Sequence, residues 1–177
     1  MPTETNTPLL NEDDLRQIAR WAAACAERAL PLFEAKAADD TRPRAALSAI
    51  ATFAQGGGRT SVLRKLAWAA GQSAREVGDP AASAAARAAM AAAGSAYTHP
   101  IATPHQVNHI IGPAAYAAQA AALAAYDPAG ILEAEIRWVI SQASPEVRQI
   151  VQRMPARAPS NGQFHALLYR LDTALRA

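Results

Sequence analysis

Residues 79–126 read DPAASAAARAAMAAAGSAYTHPIATPHQVNHIIGPAAYAAQAAALAAY, and no other stretch limits the fold of this chain so strongly. Alanine is the best helix former, and strand formers are scarce here. Two helices are predicted, each opened by a capping residue and a proline: Asp79-Pro80 and Thr103-Pro104. A cap oxygen satisfies orphan N–H groups, and proline at the first helical position gives up nothing. The first of these helices is alanine on nearly every side. A rod without bulky side chains suits a place that other backbones approach closely from several directions. It is therefore expected at the buried centre of an all-α domain, with the second helix packed on it.

The same turn recurs. Asp79-Pro80, Thr103-Pro104 and Asp127-Pro128 follow one another at intervals of 24 residues. Short connections of this kind make consecutive helices antiparallel. The expected architecture is a single-domain bundle or a stack of helical hairpins, about eight or nine helices over residues 11–177, behind a flexible tail at 1–10. Asn11 should cap the first helix, with Glu12, Asp13 and Asp14 at its positive end. Pro31 should end or kink that helix, and Leu30-Pro31-Leu32-Phe33 should start a short one. A helix over about 42–54 is capped by Asp40 or Thr41. Gly56-Gly57-Gly58 stops it, and Thr60 or Ser61 opens the next, which runs to about Val77 with Val62, Leu66, Ala69, Ala70 and Ala74 on one side. Arg64 and Trp68, four apart, are placed to stack on one another. Ser144-Pro145 opens a further helix, a proline-rich loop covers 154–161, and Ser160 or Asn161 caps the last helix.

Bulk properties narrow the function classes. Half the residues are hydrophobic (51%), but alanine is about a quarter of the chain and aromatics only 6%, so the core is built of closely spaced small groups. The formal charge is +2, from 17 basic and 15 acidic residues, with no run of Lys or Arg. Nucleic acid is not an expected partner. No segment reaches the roughly 20 apolar residues of a membrane span, and the N-terminus lacks the pattern of a signal peptide. A cytoplasmic, membrane-free protein is expected. Cys25 stands alone on an apolar helix face, which reads as a small buried hydrophobe.

The polar constellation that stands out is His105, His109 and Tyr116, on one face of the second alanine-rich helix. Two histidines four apart are able to hold zinc, but no glutamate sits between them and no third ligand is evident. No metal or other cofactor is expected, with a His105/His109 site as the alternative. Asp40 and Arg42 flank a turn; the aspartate suits a helix cap and the arginine a carboxylate such as Glu34 or Asp39. A polar pocket shared with the histidine helix is the functional alternative. Arg87, midway along the first alanine helix, requires an acidic partner if buried, with Glu76 or Asp40 available. No complete catalytic set is found, so no catalytic residue is assigned. The candidate binding residues are Asp40, Arg42, Arg87, His105, His109 and Tyr116.

Several segments resemble a known family. They are Trp21-Ala-Ala-Ala-Cys25-Ala-Glu27 leading to Leu30-Pro31-Leu32-Phe33-Glu34; Asp40-Thr41-Arg42-Pro43-Arg44-Ala45; His109-Ile-Ile-Gly112-Pro-Ala-Ala-Tyr116-Ala; and Arg137-Trp138 followed by Pro145-Glu146-Val147-Arg148. In this order, over about residues 15–151, the chain resembles the Imm5-like immunity proteins of bacterial polymorphic-toxin systems. The resemblance implies an all-helical protein that neutralises a cognate toxin by binding it, with no catalytic residues. The expected contact surface is the turn at Asp39–Arg44 together with the face at His105–Tyr116. Two other readings are carried: a metal-dependent, hydrolase-like enzyme using His105, His109, Tyr116 and a carboxylate such as Asp40, and a homodimeric helical scaffold.

Overall fold

A computed structural model describes residues 9–177, and these form eight helices: α1 (Glu12–Glu34), α2 (Arg42–Ala54), α3 (Ser61–Glu76), α4 (Pro80–Ser95), α5 (Pro104–Leu123), α6 (Pro128–Ser141), α7 (Pro145–Arg153) and α8 (Gln163–Arg176). No strand occurs among the described residues. The all-α expectation holds. Of the segment expected to be a flexible tail, residues 1–8 lie outside the described residues, and Leu10 is buried in the core.

The alanine helix α4 is the hub. It packs against α1, α2, α3 and α5. Ala82, Ala85, Ala86, Ala88, Ala89, Ala92 and Ala93 are fully buried, so methyl groups alone separate its backbone from its neighbours. Helix axes approach most closely where the contact residues are small. Larger side chains fill the space between α4 and the outer helices: Ile18, Leu30 and Phe33 of α1, Leu47, Ile50 and Phe53 of α2, and Ile110 and Ile111 of α5. Around α5 a second layer forms from α6 and α8, and α7 closes it against α8 and α1.

The caps explain where most helices begin. Asn11 and Asp14 form a reciprocal capping box, each backbone N–H donating to the other's side chain, at 2.9 and 3.1 Å. Asp79 accepts from the Ala82 N–H at 2.9 Å, Asp127 from Gly130 at 3.1 Å, and Ser144 from Val147 at 3.3 Å. Thr60 and Thr103 occupy their cap positions without a side-chain bond. At α5 the chain is tied instead by Gln106, whose Oε1 accepts the His99 N–H at 2.9 Å. The cap of α8 is Gly162 rather than Ser160 or Asn161: the entry needs φ = 100°, which only glycine adopts without strain.

Two further expectations are corrected. Pro31 neither ends α1 nor starts a new helix; α1 runs through it to Glu34. Proline removes one helical donor, and the carbonyl it leaves unmatched is that of Glu27, on the exposed side of the helix, within reach of solvent. The buried face of α3 matches the one expected at Ala70 and Ala74, with Leu66 packed beside them, but not at its start. Leu63, Ala70, Gly71, Ser73 and Ala74 are buried, whereas Val62 is exposed.

Candidate functional site

A groove follows from the outer stripe of α3. Arg64, Trp68, Gly71 and Arg75 recur at i, i+4, i+7 and i+11, so they share one face. Opposite them stand Met90, Ala91 and Gly94 of α4, and Asn108, His109, Gly112 and Tyr116 of α5. Tyr97 closes one end, and Phe164, His165 and Leu168 of α8 form the far wall. Together they bound a groove of about 650 Å³.

Aromatic and cationic groups dominate it. The Arg64 guanidinium lies 4.2 Å over the Tyr97 ring, and Arg75 lies 5.5 Å from the centre of the Trp68 ring. The expected Arg64–Trp68 pair is therefore exchanged for two others. Tyr97 is fixed by its hydroxyl, which donates to the Thr60 carbonyl. Tyr116 stacks on Phe164 with ring centres 4.4 Å apart. Trp68 is 67% exposed, so its ring forms the rim rather than the core. Among the described residues no aspartate or glutamate lines the groove.

The floor is set by glycine. A side chain's Cβ at Gly94 or at Gly112 would meet nothing within 4 Å, and at Gly71 it would meet the Met90 sulfur at 2.9 Å. A glycine inside a helix costs about 1 kcal/mol relative to alanine. In a chain so rich in alanine, two helix-interior glycines, Gly71 and Gly112, and Gly94 in the last turn of α4 all line this one space. The fourth, Gly130, is explained by the Asp127 cap, whose carboxylate would touch its Cβ.

Of the residues singled out from sequence, His109 and Tyr116 line the groove. His105 is exposed on the preceding turn, and its ring meets that of His109 edge-on, 5.3 Å between centres. Partial desolvation by the groove walls lowers the His109 pKa below the ordinary imidazole value, and the neighbouring His105 and His99 lower it further. Among the described residues no group of three or more His, Cys, Asp or Glu side chains converges where it could hold a metal ion.

Asp40 and Arg42 are elsewhere. Asp40 accepts from the Arg42 guanidinium at 2.7 and 2.8 Å and from its backbone N–H at 3.1 Å. Arg42 also donates to Glu76 at 2.6 Å, so its partners are Asp40 and Glu76, not Glu34 or Asp39. That network sits where α3 ends, whereas the histidines lie on the first turns of α5, and the groove includes neither Asp40 nor Arg42. The bonds from Arg42 hold the Asp40 carboxyl down to about 2. It is Arg44 that reaches Glu34, at 2.8 Å, and Glu27, at 2.9 Å. Arg87 is exposed and, among the described residues, has no carboxylate partner; Glu76 and Asp40 are engaged by Arg42.

Sequence reading missed Arg64 and Arg75 as site residues, and with them Trp68, Tyr97, Phe164 and His165. The i, i+4, i+7, i+11 stripe on α3 carries a readable signal for the first of these. The α8 wall carries none, because only folding brings it beside α5.

The family model described as "Imm-5 like putative immunity protein" matches residues 8–146. This chain belongs to the Imm-5 like family. The match spans α1 to α6 and stops as α7 begins, so it includes three walls of the groove and leaves out the fourth, α8. Among curated proteins and among solved structures, none matches the chain. No helix among the described residues is long and apolar enough to cross a membrane.

Proposed function

We propose that this Imm-5 like protein is an immunity protein that neutralises a cognate bacterial toxin by binding it. Family membership over most of the chain carries this reading, since an immunity family implies a partner protein. The groove supports it further. Trp, Tyr and Arg are the residues that most often dominate the energy of protein interfaces. Here Trp68, Tyr97, Tyr116, Arg64 and Arg75 border one open space. The His109–Tyr116 half of the expected surface suits the role better than the Asp39–Arg44 turn, where Arg42 and Arg44 are already paired with Asp40, Glu76, Glu27 and Glu34.

The test is co-expression with the product of the adjacent gene. Cells carrying both should survive where cells carrying that product alone do not, and the two proteins should co-purify. Death of the co-expressing cells together with no complex in the pull-down overturns the proposal.

A further inference from the structure

We propose that the groove between α3, α5 and α8 seats an acidic segment of the partner protein, with carboxylates on Arg64 and Arg75 and an aromatic or large aliphatic side chain between them. That the ligand is part of a protein rests on the immunity reading above; its chemical class rests on three observations.

The first is charge. Arg42 and Arg44 are each matched to two carboxylates, whereas Arg64 and Arg75 have rings beneath them and no carboxylate partner among the described residues. With no acid among the lining residues, the groove offers two cations and nothing to repel an anion. An arginine whose charge is met by an aromatic ring rather than a carboxylate keeps N–H donors free for an incoming carboxylate. The second is space. Gly94 and Gly112 leave their Cβ positions empty, so the floor admits a bulky side chain from outside. The third is spacing. The two arginines are eleven positions apart on α3, about 16 Å along the axis. An extended chain covers that in about five residues. The occupant is thus a short extended or looped stretch with acids near its ends.

Panning a random dodecapeptide display library on the immobilised full-length protein tests this without knowing the partner. Recovered peptides should be enriched in Asp or Glu flanking an aromatic or aliphatic residue. A synthetic peptide of the recovered sequence should bind at least about tenfold more weakly to the Arg64→Glu/Arg75→Glu double variant, as expected for lost charge-assisted bonds. It should weaken as much with Gly94→Leu, which fills the floor. Circular dichroism on each variant confirms that the helices persist; both arginines are exposed, so the double variant retains the core. No binders above background, binders without acid enrichment, or equal binding by the double variant overturns the inference.

The same variants in the co-expression assay separate the two proposals. Full protection by the double variant removes the groove and leaves the immunity reading intact. Acidic binders that need the groove, with no protection by the wild-type chain, leave the groove's ligand class standing and remove the immunity reading.

Discussion

Glu135 is 8% exposed and stands beside Cys25, so its charge needs a partner. Arg28 supplies one, with bonds of 2.8 and 3.0 Å to the two carboxylate oxygens, while its guanidinium lies 4.4 Å over the Trp138 ring. Burial, then the Glu135 charge, raises the Cys25 thiol well above its ordinary value, which removes it as a nucleophile. Arg28→Ala strands the carboxylate and should lower stability by about 1–3 kcal/mol in urea unfolding, a figure reduced for the partial exposure of the arginine. Arg28→Lys should recover only part, because an ammonium neither bridges both oxygens nor stacks flat. Two other residues set distinct pH windows. Asp40, held down to about 2, lies below its unfolded value, so its contribution is complete above about pH 4 and lost as pH falls toward 2. Asp40→Asn should flatten that acid limb by about 1–2 kcal/mol. His109 is likewise lowered, but as a base: the unfolded chain takes up its proton first as pH falls. Stability should therefore drop on acidification through the ordinary imidazole range near 6.5, and His109→Gln should abolish that step in pH-dependent thermal melts.

Helix boundaries show how far local chemistry reaches. Aspartate, asparagine and serine at four cap positions act as expected from sequence, and Pro at the first turn fixes α4, α5, α6 and α7. Thr60 and Thr103 look equally good as caps in sequence, yet neither makes the bond. The face of α3 was only partly legible, for a related reason. Ala69, Ala70 and Ala74 are compatible with several rotations, so the orientation is decided by which side of α3 meets α4, and Leu63 rather than Val62 turns inward. The groove was half legible: the α5 residues belong to one marked helix, but their neighbours Arg64, Trp68 and Phe164 come from elements joined only by packing. Pro31 supplies a test at this scale. It lies on the exposed side of α1, and its ring denies the Glu27 carbonyl a donor. Pro31→Ala restores that bond within an already formed helix and should raise stability by about 1–2 kcal/mol, part of the roughly 3 kcal/mol propensity gap, because helix ends fray and a bond in the last turn is worth less than one at the centre. Differential scanning calorimetry would register it as a higher midpoint; an unchanged or lower one would refute it.

The whole molecule consists of a bundle around α4 and a second layer that ends in α8, outside the family match. Whether these act as one unit depends on what binds α8 down. Leu167, Leu168, Leu171 and Leu175 are all buried, and Asp172, 1% exposed, accepts from the Arg157 N–H and from Arg176, both at 3.0 Å. Arg176 in turn donates to the Met154 and Pro155 carbonyls at 2.9 and 3.3 Å, which ties the proline-rich loop to α8. Burying four leucines is worth roughly 6–12 kcal/mol as an upper bound, as much as the net stability of a typical domain. An interface of that size should make α8 unfold with the rest rather than before it. Leu171 in α8 and Leu47 in α2 are both fully buried and lie in different layers. Leu171→Ala and Leu47→Ala should then each remove about 2–5 kcal/mol, from one shared transition with an unchanged denaturant slope. If α8 were only a clip, Leu171→Ala would split off an early transition that Leu47→Ala leaves in place, and fluorescence of Trp21, pinned to the Val139 carbonyl at 2.9 Å and read with Trp68 and Trp138 replaced by Phe, would not follow it. Coincidence of that signal with far-ultraviolet dichroism in both variants is the expected result, and it would make α8 part of the groove's rigid frame rather than an independent lid.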